Sequence, residues 1–192
     1  ILFAITLPWM VAGFWNALIG FLILRFSSDP VAAVIPQAAG IRGDEPIVAS
    51  TAILLCIRNE LPERMIRNLR PLLDGLERSG FGDRFHLYIL SDTSDPKIAT
   101  VEEARFAELA NVWAGRVAMT YRRRAVNTGF KAGNIRDFCE QWGSKHEFAV
   151  SLDADSFMTA EATLLLVRIM QADPELGILQ GLVVGLPSTS AL

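Results

Sequence analysis

Apolar residues are distributed along this chain in two regimes. Residues 1–24 carry no charged side chain, and Arg25 ends the run. About 20 apolar residues span a bilayer core, so this run predicts a membrane-crossing helix. Trp9, Trp15, Pro8 and Gly13 are all compatible with such a span. A cleavable signal would show a basic start and a shorter apolar core, and neither is present. Residues 27–46 are rich in Ser, Pro, Ala and Gly and read as a linker. From residue 47 onward, short apolar runs alternate with amphipathic stretches, the pattern of a parallel sheet with crossover helices.

The predicted strands cover residues 47–57, 85–90, 117–121, 147–152 and 178–184. The first helix starts at Pro62, well placed at a first turn, and has Met65, Ile66, Leu69, Leu72, Leu73 and Leu76 at helical spacing. Pro71 inside it predicts a kink or a break. Thr100 with Glu103 reads as a capping box for the second helix, which runs to about Trp113. A third helix carries Ile135, Phe138, Cys139 and Trp142 on one face, and Gly143 closes it. Thr159 caps a fourth, whose predicted apolar face holds Ala162, Leu165, Leu166, Ile169 and Met170.

Composition narrows the function. The chain has 192 residues, 51% of them hydrophobic, with a net charge of −3. An acidic balance with only one short basic cluster, Arg122-Arg123-Arg124, argues against a nucleic-acid partner. Cys56 and Cys139 fall on predicted core positions and read as buried thiols, and no zinc pattern is present. His86 and His146 stand alone in the sequence.

In open parallel sheets, ligands bind beyond the carboxyl ends of the strands. Four predicted strands end in polar groups. The first ends in Arg58-Asn59-Glu60 and the second in Ser91-Asp92-Thr93-Ser94-Asp95. The third is followed by Arg122 to Asn127 and then by Gly129-Phe130-Lys131-Ala132-Gly133-Asn134. The fourth ends in Asp153-Ala154-Asp155. Two carboxylates one residue apart at a strand end suit a hard divalent cation that also holds phosphate oxygens. Ten Asp in 192 positions produce roughly 0.5 such D-x-D matches by chance, so the context carries the argument.

That context resembles the nucleotide-diphospho-sugar (GT-A) domain of processive family-2 glycosyltransferases, an α/β, Rossmann-like, mostly parallel sheet. Several segments look like the glucans biosynthesis glucosyltransferase H family. They are Tyr88-Ile89-Leu90-Ser91-Asp92, Tyr121-Arg122-Arg123-Arg124, Lys131-Ala132-Gly133-Asn134-Ile135, Asp137-Phe138, Trp142-Gly143 and Leu152-Asp153-Ala154-Asp155-Ser156. The Arg-rich segment running into Lys-Ala-Gly-Asn is the specific part, whereas D-x-D is generic. The resemblance implies an inner-membrane enzyme that builds the β-1,2-linked backbone of osmoregulated periplasmic glucans from UDP-glucose. It divides the chain into a transmembrane helix (1–26), a linker (27–46) and the donor-binding part of a truncated GT-A domain (47–192).

The resemblance also implies roles. Asp92 would accept a hydrogen bond from the uracil imide, and Asn59 and Glu60 would frame the base or ribose. Lys131 and Gly133 would lie near the diphosphate or the donor sugar. Asp153 and Asp155 would hold Mg²⁺ or Mn²⁺, with Asp153 also in reach of the ribose. The catalytic base of the family lies beyond the equivalent of Leu192, so the chain is expected to bind donor without transferring sugar. An uncovered sheet edge is expected for the same reason. The implied partners are UDP-glucose, a growing glucan acceptor, membrane lipid and other periplasmic glucan biosynthesis proteins. Arg25 and Arg42 after the span place the domain on the cytoplasmic side by the positive-inside rule.

Three other classes compete with this reading. A HAD-type phosphatase also uses D-x-D after a strand, but there the motif opens the domain, whereas here it follows three β-α units. A non-catalytic, membrane-anchored nucleotide-sugar-binding module would suit a chain that has no base. A Rossmann dehydrogenase is disfavoured because no G-x-G-x-x-G follows the first strand.

Overall fold

The computed structural model describes residues 2–181, and the chain divides after Asp44 into two compact units. In the first unit, helix α1 (Leu2–Phe26) is long and apolar enough to cross a membrane, and none of its residues is buried. Pro8 is accommodated inside it. The segment read as a linker is not featureless. It contains a short helix α2 (Pro30–Val34), capped by the Asp29 carboxylate, and a 3₁₀ turn (Pro36–Gly40).

The second unit is built on strands β1 (Thr51–Ile57), β2 (Phe85–Ser91), β3 (Ala118–Arg123) and β4 (Phe148–Asp153), with helices α3 (Pro62–Arg78), α4 (Pro96–Val112), α5 (Phe130–Trp142) and α6 (Ala160–Ala172). The four strands form one parallel sheet in the order β3-β2-β1-β4. The α/β parallel-sheet expectation therefore holds. The order reverses at β1, which pairs with β2 on one side and β4 on the other.

Alternation along the strands separates two faces. Ile53, Leu55, Ile57, Leu87 and Ile89 join Leu69, Leu72, Leu73 and Leu76 of α3, Phe106 and Leu109 of α4, and Leu164 and Val167 of α6 in one aliphatic core. The opposite face is smaller. Ala52, Leu54, Tyr88 and Leu90 pack there with Phe138 of α5, alongside Cys56, Ile135 and Trp142. On this second face β4 presents Ala149, Ser151 and Asp153, all exposed. Strand β4 is thus half-exposed and, among the described residues, lies at an edge of the sheet, paired with β1 alone.

Several local expectations are corrected by physical detail. β1 starts at Thr51 instead of residue 47, because the amides of Val48 and Ala49 donate to the Gln171 side chain of α6 rather than to a neighbouring strand. Helix α3 continues through Pro71, which lies on its exposed face. Water can satisfy the carbonyl that proline leaves free, and buried leucines on both sides hold the two halves together. Thr100 is no cap. Asp95 occupies the N-cap of α4 and accepts from the amides of Lys97 and Ile98, followed by Pro96 at the first turn. The Thr100 hydroxyl instead donates to the Pro96 carbonyl within the helix.

Thr159 caps α6 as expected. The buried face of α6, however, comprises Ala160, Thr163, Leu164, Val167, Arg168 and Ile169, while Ala162 and Leu165 point to solvent. Gly143 closes α5 as its C-cap residue, as expected, although not in a left-handed turn. Its φ is −54° and the chain runs on into a 3₁₀ turn. Cys139 is exposed and Cys56 half-buried, so neither is the fully buried thiol expected, and both are free. Residues 178–181 carry no strand, and the remainder of the predicted fifth strand lies outside the described residues.

The histidines are not isolated either. His146 lies between Ser50 and Tyr88, with Nδ1 2.8 Å from the serine hydroxyl and Nε2 2.9 Å from the phenol. His86 stacks on Tyr88 and meets the Thr120 hydroxyl at 2.8 Å. Burial pushes the His86 pKa down to about 4, with His146 and Lys145 adding to the effect.

Candidate functional site

A groove of about 390 Å³ lies beyond the carboxyl ends of β1, β2 and β4. Its walls include Cys56 near the end of β1 with Arg58 and Glu60 after it, Asp92 after β2, Asn127, Phe130 and Lys131 before and at the start of α5, and Asp153 at the end of β4 with Ala154 and Asp155 after it. This is the side of a parallel sheet where loops are free to diverge, at the point where strand order reverses. Among the predicted site residues, Glu60, Asp92, Lys131, Asp153 and Asp155 line this groove together. Asn59 and Gly133 do not.

Asn59 acts as a tie. Its backbone sits in the left-handed region (φ 54°), its amide donates to Thr93 Oγ1, and its side-chain oxygen accepts from the amides of Ser94 and Asp95. Asn and Asp are the side-chain-bearing residues that best tolerate this geometry. The loop after β1 is thereby fastened to the loop after β2. The Thr93 hydroxyl continues inward and donates to the fully buried Glu102, which also accepts from the Tyr121 phenol at 2.8 Å.

Gly133 is buried, and the close approach it permits is to the chain's own backbone. A Cβ there would lie 1.9 Å from the Thr128 carbonyl oxygen. Asn134, next to it, donates from Nδ2 to the Leu90 carbonyl and accepts from Arg122, locking α5 to β2 and β3. The Gly-Asn half of the Lys-Ala-Gly-Asn segment therefore seats the helix, while Lys131 faces the groove.

Asp92 and Asp153 have very different surroundings. The Asp92 side chain is 6% exposed and is held by Arg124 in a two-pronged pair, Nε to Oδ1 at 2.7 Å and Nη2 to Oδ2 at 2.8 Å. The Arg124 side chain is itself 7% exposed and also donates to Asp137, to Asn127 Oδ1 and to the carbonyls of Thr128 and Phe130. The bond to Asp92 raises the guanidinium above its already high pKa, and the bond from Arg124 holds Asp137 below the usual carboxylate range. Each carboxylate oxygen has two lone pairs, so Asp92 retains acceptor capacity after this pairing.

Asp153 is the last residue of β4 and Asp155 lies in the following turn, both exposed. The sheet register sets Asp153 opposite Cys56 on the α5 face, where its carboxylate pairs with Lys131. Among the described residues, no group of three or more His, Cys, Asp or Glu could hold a metal ion by itself. Two exposed carboxylates fit a Mg²⁺-type ion that completes its shell with water and substrate phosphates, and do not fit an all-protein cage.

The role of Arg124 was not legible in the sequence. The triplet Arg122-Arg123-Arg124 reads as a solvated basic turn, yet Arg122 and Arg123 belong to β3 and only Arg123 is exposed. Arg122 reaches Asp137 and Asn134. Nothing local distinguishes three consecutive arginines. Their fates are set by strand alternation and by where β3 ends.

No protein-family model matches the chain. Comparison with curated proteins gives consistent similarity to proteins named glucans biosynthesis glucosyltransferase H. Identity is 40% over 182 residues to the protein of Dickeya dadantii (strain 3937) and of Escherichia coli (strain K12), and 41% to that of Klebsiella pneumoniae (strain 342). Each match takes in 94% of this chain and 21% of the relative, so the chain spans about a fifth of the length of the curated relatives it matches. The family suggested by the motifs is the one to which the chain is similar over nearly its whole length.

Proposed function

We propose that this chain is the donor-binding part of a membrane glucosyltransferase that extends a glucan. The observation that carries the reading is the 40% identity across 94% of the chain to proteins named glucans biosynthesis glucosyltransferase H. The groove supports it, because it gathers an embedded carboxylate, a lysine and two open carboxylates along one line of strand ends. The donor in this reading is UDP-glucose, the acceptor a growing β-1,2-linked glucan, and the reaction an inverting displacement at the anomeric carbon. The base that deprotonates the acceptor is proposed to come from a part of the protein beyond this chain.

Within the groove, Asp92 accepts from the uracil imide with the lone pairs that Arg124 leaves free. Glu60 lies on the same wall for the ribose or base. Lys131 exchanges its contact with Asp153 for the diphosphate, acting as a point charge. Asp153 and Asp155 would hold Mg²⁺ or Mn²⁺, which when bound supplies charge neutralisation for the UDP leaving group. Helix α1 would anchor the chain in the bacterial inner membrane with the domain on the cytoplasmic side, where Arg25 and Arg42 follow the span.

The test is calorimetric titration of UDP, with and without Mn²⁺, into the full-length protein that carries this segment and into its Asp153→Ala/Asp155→Ala variant. Mn²⁺-dependent binding that the variant loses is the expected result. Equal binding by both proteins would remove the metal site from the reading. Absence of any UDP binding by the unaltered protein would remove the donor site.

A further inference from the structure

Phe130 is 69% exposed on a wall of the groove that is otherwise mostly polar. A single exposed aromatic residue is ordinary on a protein surface. Two further observations set this one apart. Its backbone sits at φ 51°, directly after Gly129 at φ 70°. A bulky residue in the left-handed region is a rare outlier that persists only where the surroundings over-determine it, and such outliers cluster at ligand sites. The surroundings here are identifiable. Arg124 holds the Thr128 carbonyl with Nη1 at 3.1 Å and the Phe130 carbonyl with Nη2 at 3.0 Å.

The same Nη2 also holds Asp92 Oδ2 at 2.8 Å. One nitrogen therefore ties the Phe130 backbone to the carboxylate at the β2 end of the groove. The next residue, Lys131, turns to Asp153 at the β4 end. Neighbouring positions thus line one groove, Phe130 with its carbonyl tied through Arg124 to Asp92 and Lys131 with its ammonium paired to Asp153. That pairing matches a ligand with a planar, hydrogen-bonding ring at one end and anionic oxygens at the other, the chemistry of a nucleoside diphosphate.

We propose that Phe130 is a ligand-contacting residue whose ring forms the apolar wall against which the base of the nucleotide packs, and that Arg124 is the positioning residue that holds it in its left-handed conformation. Aromatic faces bind bases largely without regard to sequence, so Phe130 contributes affinity for a ring while Asp92 selects its edge. The inference rests on the nucleotide reading above.

The experiment compares the unaltered full-length protein with Phe130→Gly and Phe130→Tyr. Thermal unfolding is measured for each, together with calorimetric titration of UDP and of pyrophosphate in the presence of Mn²⁺. Glycine relieves the left-handed backbone, so Phe130→Gly is expected to unfold at the same or a higher temperature. It should nevertheless bind UDP roughly tenfold or more weakly, the scale of a lost base-aromatic stack. Pyrophosphate has no base, so its affinity should stay within about twofold, and Phe130→Tyr should restore UDP binding.

Unchanged UDP affinity in Phe130→Gly would overturn the inference. So would an equal loss for UDP and pyrophosphate, which would mean that the ring acts only by shaping the loop. A fall in unfolding temperature with intact UDP binding would show that the ring packs against another part of the protein, and would overturn it too. If UDP binding needs Asp153 and Asp155 but ignores Phe130, only this inference fails. If the unaltered protein binds no UDP, the nucleotide reading and this inference fail together.

Discussion

An aspartate directly after β2 and another at the end of β4 lie on one groove, and the two are built on opposite principles. Asp92 is embedded, with 6% of its side chain exposed and both oxygens engaged by an equally embedded arginine. Asp153 is two-thirds exposed and has a lysine partner that is itself 46% exposed. A carboxylate removed from water needs a well-placed cation and further hydrogen bonds, and Asp92 has them. One left in water gains little from a flexible ammonium and stays available to other ligands. The β2 end is therefore preformed, whereas the carboxylate at the β4 end stays accessible to water.

This contrast makes removal of Asp92 the largest expected effect. Asp92→Ala leaves Arg124 buried with Asp137 as its remaining ionic partner, and should cost about 3 kcal/mol of folding stability, read by urea denaturation. A loss below about 1 kcal/mol would erase the distinction between the two ends. Next comes Gly133→Ala. The added Cβ meets the Thr128 carbonyl at 1.9 Å, so the start of α5 must move, at a cost of about 2 kcal/mol. The same variant should weaken ligand binding, because Phe130 and Lys131 are carried by that turn.

A pH titration separates the groove from the opposite end of the sheet. His86 is held neutral with a pKa near 4, against 6.5 when unfolded, so the unfolded chain binds the extra proton between these values. Its contribution to stability is complete above about pH 6.5 and is lost as pH falls toward 4. Denaturation midpoints measured from pH 4 to 7 should show this fall, and His86→Gln should flatten it. The smallest effect on stability belongs to Asp153→Ala/Asp155→Ala, which should stay within about 0.5 kcal/mol of the parent. A large destabilisation there would mean that the β4 end is structural after all, and the comparison would collapse.

Much of this architecture could be read before any coordinates. The alternation of short apolar runs with helical stretches predicted a parallel α/β sheet, and Pro62 and Thr159 marked two helix starts correctly. Errors came where two local signals competed. Thr100 and Glu103 match a capping box, but Asp95-Pro96 upstream offers a carboxylate cap and a preset φ, and α4 begins there. The leucine-rich stretch of α6 allowed more than one apolar face, and packing against α3 and the sheet selected Leu164 and Val167 over Leu165. The polar residues after each strand were visible as a set, and five of the seven named for the site do line one groove.

By itself the sequence determined the order of elements and the likeness in family, because hydrophobic period, caps and motifs act over a few residues and survive without knowledge of neighbours. Only the tertiary structure decided what each polar group does. Arg124 and Asp92 stand 32 positions apart, and Lys131 and Asp153 stand 22 apart. Whether such residues meet depends on the strand order β3-β2-β1-β4 and on which face each side chain takes, and a shift of one residue in register would turn each to the other side of the sheet. Burial then assigns their roles. The same carboxylate chemistry becomes a locked anchor where the chain excludes water and an accessible, weakly held group where it does not.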